Sequence, residues 1–289
     1  MNNALFDFRD AIRASGLEPP SVIDPGKRHR FPGIGKRNGN TAGWCKLFDD
    51  GLGGCFGDWS AGLSEHWQAR QYRPLSSSDK QAFAIRVGEA RRAEQFQRVT
   101  RQTEAAQTAR SIWQQATPAN NQHPYLTKKG IQGHGIKTHK GQLVIPVLTT
   151  EGIHSLQFIH RSGEKRFLTG GRIAGGYFLM GDFNKRRLLI AEGFATGATL
   201  HQETGYPVVV AFNAGNLKAV ALAIRALYGQ KDMVICGDND HATPGNPGIT
   251  KATEAAYLIG ARIAIPTFNA GEPGTDWNDW YQSRIGGFR

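Results

Sequence analysis

From residue 187 onward, short apolar runs alternate with amphipathic stretches. Residues 187–191, 208–212, 233–236 and 261–265 read as strands, while 196–203, 217–228 and 249–258 read as helices. Strict alternation of strand and helix predicts an α/β core built on a mostly parallel sheet with helices on both faces. In such sheets ligands bind at the carboxyl ends of the strands, so chemistry is sought there.

The preceding parts have other patterns. The first 75 residues mix glycine with aromatics and turn signals such as Asp50-Gly51 and Gly53-Gly54, which predicts a small β-rich domain with a hairpin of 44–48 and 54–59. Residues 76–115 are poor in glycine and rich in Ala, Gln, Arg and Glu, the pattern of a helix or helix pair. Its apolar positions Phe83, Val87, Ala90 and Phe96 form a patchy stripe, suited to a connector between domains more than to a core. The run Thr117-Pro118-Ala119-Asn120-Asn121 ends it. The expected organisation is a β-rich module over 1–75, a helical connector over 76–117, a mixed basic subdomain over 118–184 and the α/β core over 185–289.

The length of 289 residues allows about two domains. Thirty-five Lys and Arg against 24 Asp and Glu leave a net charge of +11, which points to a polyanionic partner, with nucleic acid foremost. No apolar run approaches the roughly 18 residues of a membrane span, and no signal peptide pattern opens the chain, so a cytoplasmic setting without membrane contact is expected. Cys45, Cys55 and Cys236 cannot form a disulfide framework and include no C-x-x-C pair. His29, Cys45, Cys55 and His66 do not follow a zinc-ligand spacing, so no zinc is expected. Cys236 sits in an apolar strand and reads as core. Arg28, Arg30, Lys36 and Arg37 cluster beside aromatics, as in a groove that contacts phosphates and stacks on bases. The same pattern also fits a small β core with a solvated charged face.

Two strand ends carry acids. Glu192 follows the strand 187–191 within Ala191-Glu192-Gly193-Phe194-Ala195-Thr196-Gly197, the glycine at 193 allowing a sharp turn, and Asp238 and Asp240 follow 233–236 within Gly237-Asp238-Asn239-Asp240. Together they offer three oxygen ligands for a hard cation such as Mg²⁺, although Asp and Asn also favour turns for local backbone reasons. Lys218 opens the helix after Asn213-Ala214-Gly215-Asn216 and would lie near phosphate at a helix N-terminus, or simply be a charged helix start.

These two acidic segments resemble the paired signatures of the Toprim domain shared by bacterial primases, topoisomerases and some nucleases, in the form found in primases of plasmids and phages. Upstream, Pro124-Tyr125-Leu126, Leu143-Val144-Ile145-Pro146 and Lys165-Arg166-Phe167-Leu168 are similar in order to the basic subdomain of those primases. Downstream, Gly274-Thr275-Asp276-Trp277-Asn278-Asp279-Trp280 is similar to their closing acidic segment. The resemblance implies a DNA primase making short RNA primers on single-stranded DNA from nucleoside triphosphates with Mg²⁺ or Mn²⁺. Glu192 would be a metal ligand or general base, Asp238 and Asp240 the main metal ligands, and Asp276, with Asp279, a further acidic contribution. Arg161, Lys165 and Arg166 would contact template or triphosphate, with Lys128, Lys129 and Arg172 as weaker candidates. No zinc ribbon or Gly-x-x-x-x-Gly-Lys-Ser/Thr loop is present in the sequence, so a replicative helicase is expected to be a separate chain. A Toprim nuclease and a non-catalytic single-strand-binding accessory protein are the alternatives.

Overall fold

A computed structural model describes residues 2–69, 77–269 and 271–285. The chain divides into two compact units at Glu89 and Ala90.

The first unit opens with a helix that the sequence reading overlooked, α1 (Asn2–Ala14). Phe8 and Ile12, four residues apart and therefore on one helical face, are fully buried. They pack on one side of an antiparallel meander of β1 (Arg28–Phe31), β2 (Gly43–Leu47), β3 (Gly53–Asp58) and β4 (Leu63–Gln68). The pairing of β2 with β3 is the predicted hairpin. Because successive side chains in a strand alternate between faces, the register splits the four candidate zinc ligands. His29 pairs with Cys45 on the α1 side, next to core residues Phe31 and Leu47, whereas Cys55 pairs with His66 on the other side. These four cannot converge on one ion.

The Arg28 guanidinium lies 5.0 Å from the centre of the Trp44 ring, and Trp44 stacks on Trp59 at 5.4 Å. Arg30 is held by the Thr41 carbonyl at 2.7 Å from its Nε. Lys36 and Arg37 are exposed on a loop anchored by the buried Asp58, which accepts from the amides of Ile34 and Ser60, each at 2.7 Å.

α2 (Ser77–Gln115) is one helix of 39 residues, not a pair. Phe96 is 73% exposed, in line with the patchy stripe; the side chains of Phe83, Val87 and Ala90 lie outside the described residues. Its C-terminal part does fill a core, since Ala109 is fully buried against Val144, Leu156 and Phe158.

The second unit carries two five-stranded sheets. The first is antiparallel, in the order β5 (Thr117–Pro118), β6 (Lys137–His139), β7 (Gln142–Thr149), β8 (Gly152–Ile159) and β9 (Lys165–Phe167), with α3 (Pro124–Lys129) between β5 and β6. The second contains β10 (Phe178–Met180), β11 (Arg187–Ala191), α4 (Phe194–Thr204), β12 (Val208–Val210), α5 (Leu217–Leu227), β13 (Asp232–Cys236), α6 (Pro247–Ile259), β14 (Arg262–Ala264) and α7 (Trp277–Ile285). Its order is β10-β12-β11-β13-β14, parallel except for β10. That antiparallel edge strand is three residues long, too short for a periodicity signal.

Helices cover both faces of this sheet. α4 packs with Leu143, Ile145 and Ile159 of the antiparallel sheet in one core, and α5 and α6 build the core on the other face. Gly197 makes the α4 packing possible, because a Cβ there would stand 2.8 Å from Val210 Cγ2. Gly193 has an ordinary extended backbone (φ −103°) and room for a Cβ, so the sharp turn expected of it is not what places the helix.

Candidate active site

Glu192 follows β11 and Asp238 lies two residues beyond the neighbouring parallel strand β13, so the topology brings their carboxylates to one crevice. Glu192 accepts a hydrogen bond from the amide of Ala214. Its Oε2 and the Oδ1 of Asp238 are buried without a hydrogen-bond partner among the described residues. Burial is the main cause that pushes the Asp238 carboxyl up to about 8, and the negative charges of Glu192, Asp276 and Asp240 add to it. Glu192 is raised for the same leading reason, with the Ala214 amide opposing and Asp240 and Asp276 reinforcing. Four acids therefore lie within one another's field.

The remaining two are partly committed to backbone. Asp240 Oδ2 accepts from the Gly248 amide at 3.0 Å in the first turn of α6, and the Asp240 amide donates to Asn246 Oδ1 at 2.9 Å. Asn246 caps α6 ahead of Pro247 from a left-handed conformation (φ 39°) and donates from Nδ2 to Asn239 Oδ1 at 2.8 Å. A Cβ on Gly237 would stand 2.5 Å from Ala252 Cβ, so the loop lies tight on α6. Asp276 Oδ1 accepts from the Asp279 amide at 2.8 Å at the start of α7. Consequently no three His, Cys, Asp or Glu side chains among the described residues stand in metal-holding geometry. The three expected oxygen ligands face one another's charge in one crevice, with Asp240 Oδ2 held by the start of α6. Two orphaned buried carboxylate oxygens whose charges repel are nevertheless the donor chemistry a hard divalent cation takes.

Lys165 is the cation of this crevice. The residue as a whole is exposed, yet desolvation of its ammonium leads and lowers its pKa, while Asp276, Asp238 and Glu192 oppose that shift and Lys129 adds to it. Lys129 is itself 3.0 Å from Asp279 Oδ1. The buried Asn278 donates to the Lys129 carbonyl at 2.7 Å and to Thr199 Oγ1 at 2.8 Å, pinning α7 to α3 and α4.

The other predicted contacts are distributed differently. Arg166 lies on the opposite face of β9 from Lys165, over Phe158 at 5.3 Å, so the two neighbours do not share a site. Arg161 is exposed just after β8. Lys218 is paired with Glu254 at 2.9 Å. The segment before it is a clamp: Asn216 is buried, donates to the carbonyls of Ile173, Gly176 and Ala211, and accepts from the Gly175 amide at 2.8 Å. Arg28, Arg30, Lys36 and Arg37 belong to the first unit. Asn216 and Asn278 stand in segments singled out in the sequence, where neighbouring charged residues and not these amides carry the signal. The Asn246-Pro247 pair, by contrast, is a readable helix start.

Comparison with known proteins bears on this site directly. Residues 187–285, which hold all four acids, match the Toprim domain family. The chain is 35% identical over 288 residues to an Escherichia coli protein named DNA primase TraC, covering 92% of this chain and 27% of that one. A second Escherichia coli DNA primase TraC is 33% identical over 289 residues, covering 92% of this chain and 20% of the relative. The chain thus spans about a quarter of the length of these relatives. Among solved structures, the primase fragment of the bacteriophage T7 primase-helicase protein superposes with a TM-score of 0.42 at 14% identity, covering 89% of this chain and 95% of that one.

Proposed function

We propose that this chain, which carries a Toprim domain and is similar to DNA primase TraC over nearly its whole length, is the primer-synthesising part of a DNA primase. It makes short RNA primers on single-stranded DNA from nucleoside triphosphates. The observation that carries this reading is the pairing of buried, unpartnered oxygens on Glu192 and Asp238 with the Lys165 ammonium in one crevice.

In primer extension a 3′-oxygen attacks the α-phosphorus of a nucleoside triphosphate, its proton is lost, and the bond to pyrophosphate breaks. A divalent ion at the acids, Mg²⁺ or Mn²⁺, supplies charge stabilisation at the attacking and departing oxygens. Glu192 Oε2 and Asp238 Oδ1 would hold it, with Asp240 and Asp276 joining once their carboxylates turn from the backbone. Lys165 neutralises and orients the triphosphate. Glu192 is also placed to receive the proton of the 3′-hydroxyl. Arg161 borders the template path, and the basic residues of the first unit, Arg28, Arg30, Lys36 and Arg37, contact the single strand.

The setting that goes with this activity is replication or transfer of a plasmid or phage, with a replicative helicase as a partner. No described helix is long and apolar enough to cross a membrane. Buried thiols such as Cys45 and Cys236 suit the reducing cytoplasm.

The test is synthesis of labelled oligoribonucleotides on mixed-sequence single-stranded DNA with either metal, by the intact chain and by its Asp238→Ala/Asp240→Ala variant. Short products that vanish in the variant are expected. A folded chain that gives none with any template or metal, or that cleaves DNA without nucleotides, overturns the reading; cleavage would point to a Toprim nuclease.

A further inference from the structure

We infer that the face of β9 turned away from the carboxylate crevice holds a guanine-binding site lined by Gln142, His160, Glu164 and Arg166. The four residues, with His160, Glu164 and Arg166 exposed and Gln142 half-buried, line an open pocket of about 250 Å³. That is below the roughly 300–1,000 Å³ of pockets for drug-sized ligands and suits a single ring system. The cavity lies on the Arg166 side of the strand. Arg166 is opposite Phe158 and shares its face with Val144, whereas Lys165 is opposite Ile159 and Leu143, which belong to the core shared with α4. The site is therefore separate from the acids, and the inference does not rest on primer synthesis.

The lining leaves polar groups without a partner among the described residues. Arg166 is held over the Phe158 ring at 5.3 Å and donates one long bond, 3.4 Å, to Gln142 Oε1. The Glu164 carboxylate has no hydrogen bond or ion pair among the described residues, and it is not paired with Arg166 although both line one cavity. His160 uses Nδ1 on Ser162 Oγ at 2.9 Å, leaving Nε2 for a ligand. A guanidinium offers two parallel donors and a carboxylate two acceptors. Guanine satisfies both bidentately, with O6 and N7 facing the arginine and the N1 and N2 hydrogens facing the glutamate. Adenine and uracil meet neither group in that way, and cytosine meets only the arginine, through O2 and N3.

Isothermal titration of the full chain with GMP, AMP, CMP and UMP in EDTA, where no cation bridges phosphates to the acids, tests the assignment. A second arm compares a dT nonamer bearing one central dG with the all-dT nonamer, which separates a free nucleotide from a base within a strand. Binding of guanine at least about tenfold tighter than the other bases is expected from one bidentate pair. The preference should be lost in Arg166→Ala and in Glu164→Gln, the latter nearly isosteric so that folding is kept, and retained in Asp238→Ala/Asp240→Ala. Guanine selectivity in either arm with this variant pattern supports the site and names its source. Absence of guanine preference in both arms, a preference for another base, or a guanine preference unchanged by Glu164→Gln overturns it. So does loss of the preference in the aspartate variant, which would place the binding at the acids.

Discussion

Lys129 Nζ stands 3.0 Å from Asp279 Oδ1 across 150 residues of sequence, with side-chain exposures of 25% and 32%. The pair joins the end of α3 to the first turn of α7, beside the carbonyl contact of Asn278, and so closes the acidic crevice from one side. Asp279 also accepts from the Thr275 amide at 3.3 Å, just before Asp276. Removing the carboxylate leaves a half-buried ammonium and an unpaired amide. Asp279→Ala should therefore cost about 1–3 kcal/mol, a fall of roughly 2–10 °C in Tm for a unit of this size. Differential scanning calorimetry reads it, and an unchanged Tm would show that the pair contributes nothing net.

Asp240 performs a structural task and a proposed chemical one, and the two can be separated. Asp240→Asn keeps an oxygen for the Gly248 amide but loses the charge; Asp240→Ala loses both. The alanine variant should lose about 0.5–2 kcal/mol of stability through the helix start, and the asparagine variant much less. Both should lose primer synthesis by orders of magnitude. Denaturant melts beside activity assays decide it; an active asparagine variant would remove Asp240 from the chemistry.

The buried Asp238 sets a pH dependence for the metal-free protein. Its carboxyl is pushed up to about 8 by burial first and then by neighbouring acids, against an ordinary value of 3.8. Between those values the folded state holds a proton that the unfolded state has released, so stability falls as pH rises. His123 and His134, both lowered mainly by burial, act in the opposite sense only at lower pH, where the unfolded imidazoles charge. From pH 7 to 8 the acids act together with the buried thiols Cys45 and Cys236, which burial pushes up to about 12. The thiols add a smaller loss of the same sign, so the Asp238→Asn variant isolates Asp238. In EDTA the Tm should drop across that interval, and Asp238→Asn should flatten the drop. A flat wild-type profile would contradict the burial of this carboxylate.

Asn216 supplies side-chain partners to three carbonyls and one amide. Its Nδ2 serves Gly176 and Ala211 at 2.9 Å each and Ile173 at 3.3 Å. Asn216→Ala should cost about 2–3 kcal/mol and release the 172–177 loop. Hydrogen exchange at Gly175, whose amide bonds Asn216 Oδ1, should rise sharply. Protection that survives the substitution would mean that other contacts hold the loop.

Much of this arrangement was readable from pattern. Alternating runs located β11, β12, β13 and β14 within a residue or two, and acids placed just beyond parallel strands could only meet at one edge. What escaped had short-range or long-range causes that spacing does not carry. β10 and α3 are too short for periodicity, and the committed oxygens of Asp240 and Asp276 depend on helix starts that only the fold aligns. The opposite outlooks of Lys165 and Arg166 follow from the two-residue period of a strand once 165–167 is known to be one. The first helix lies within the stretch read as β-rich, although Leu5, Phe8 and Ile12 mark one helical face.

Lys165 offers the most direct link between charge and activity. Its ammonium lowers the pKa of both Glu192 and Asp238, opposing burial. Without it both carboxylates hold their protons to higher pH, and a proton competes with a divalent ion for the same oxygens. Lys165→Gln should therefore slow primer synthesis at neutral pH, move the acid limb of the pH–rate profile upward, and raise the metal concentration for half-maximal rate. Raising the pH should recover part of the lost rate, because ionising the acids restores metal binding but not the contact to triphosphate. A uniform loss at every pH and metal concentration would mean that Lys165 acts on the nucleotide alone; an unchanged profile would remove it from the crevice altogether.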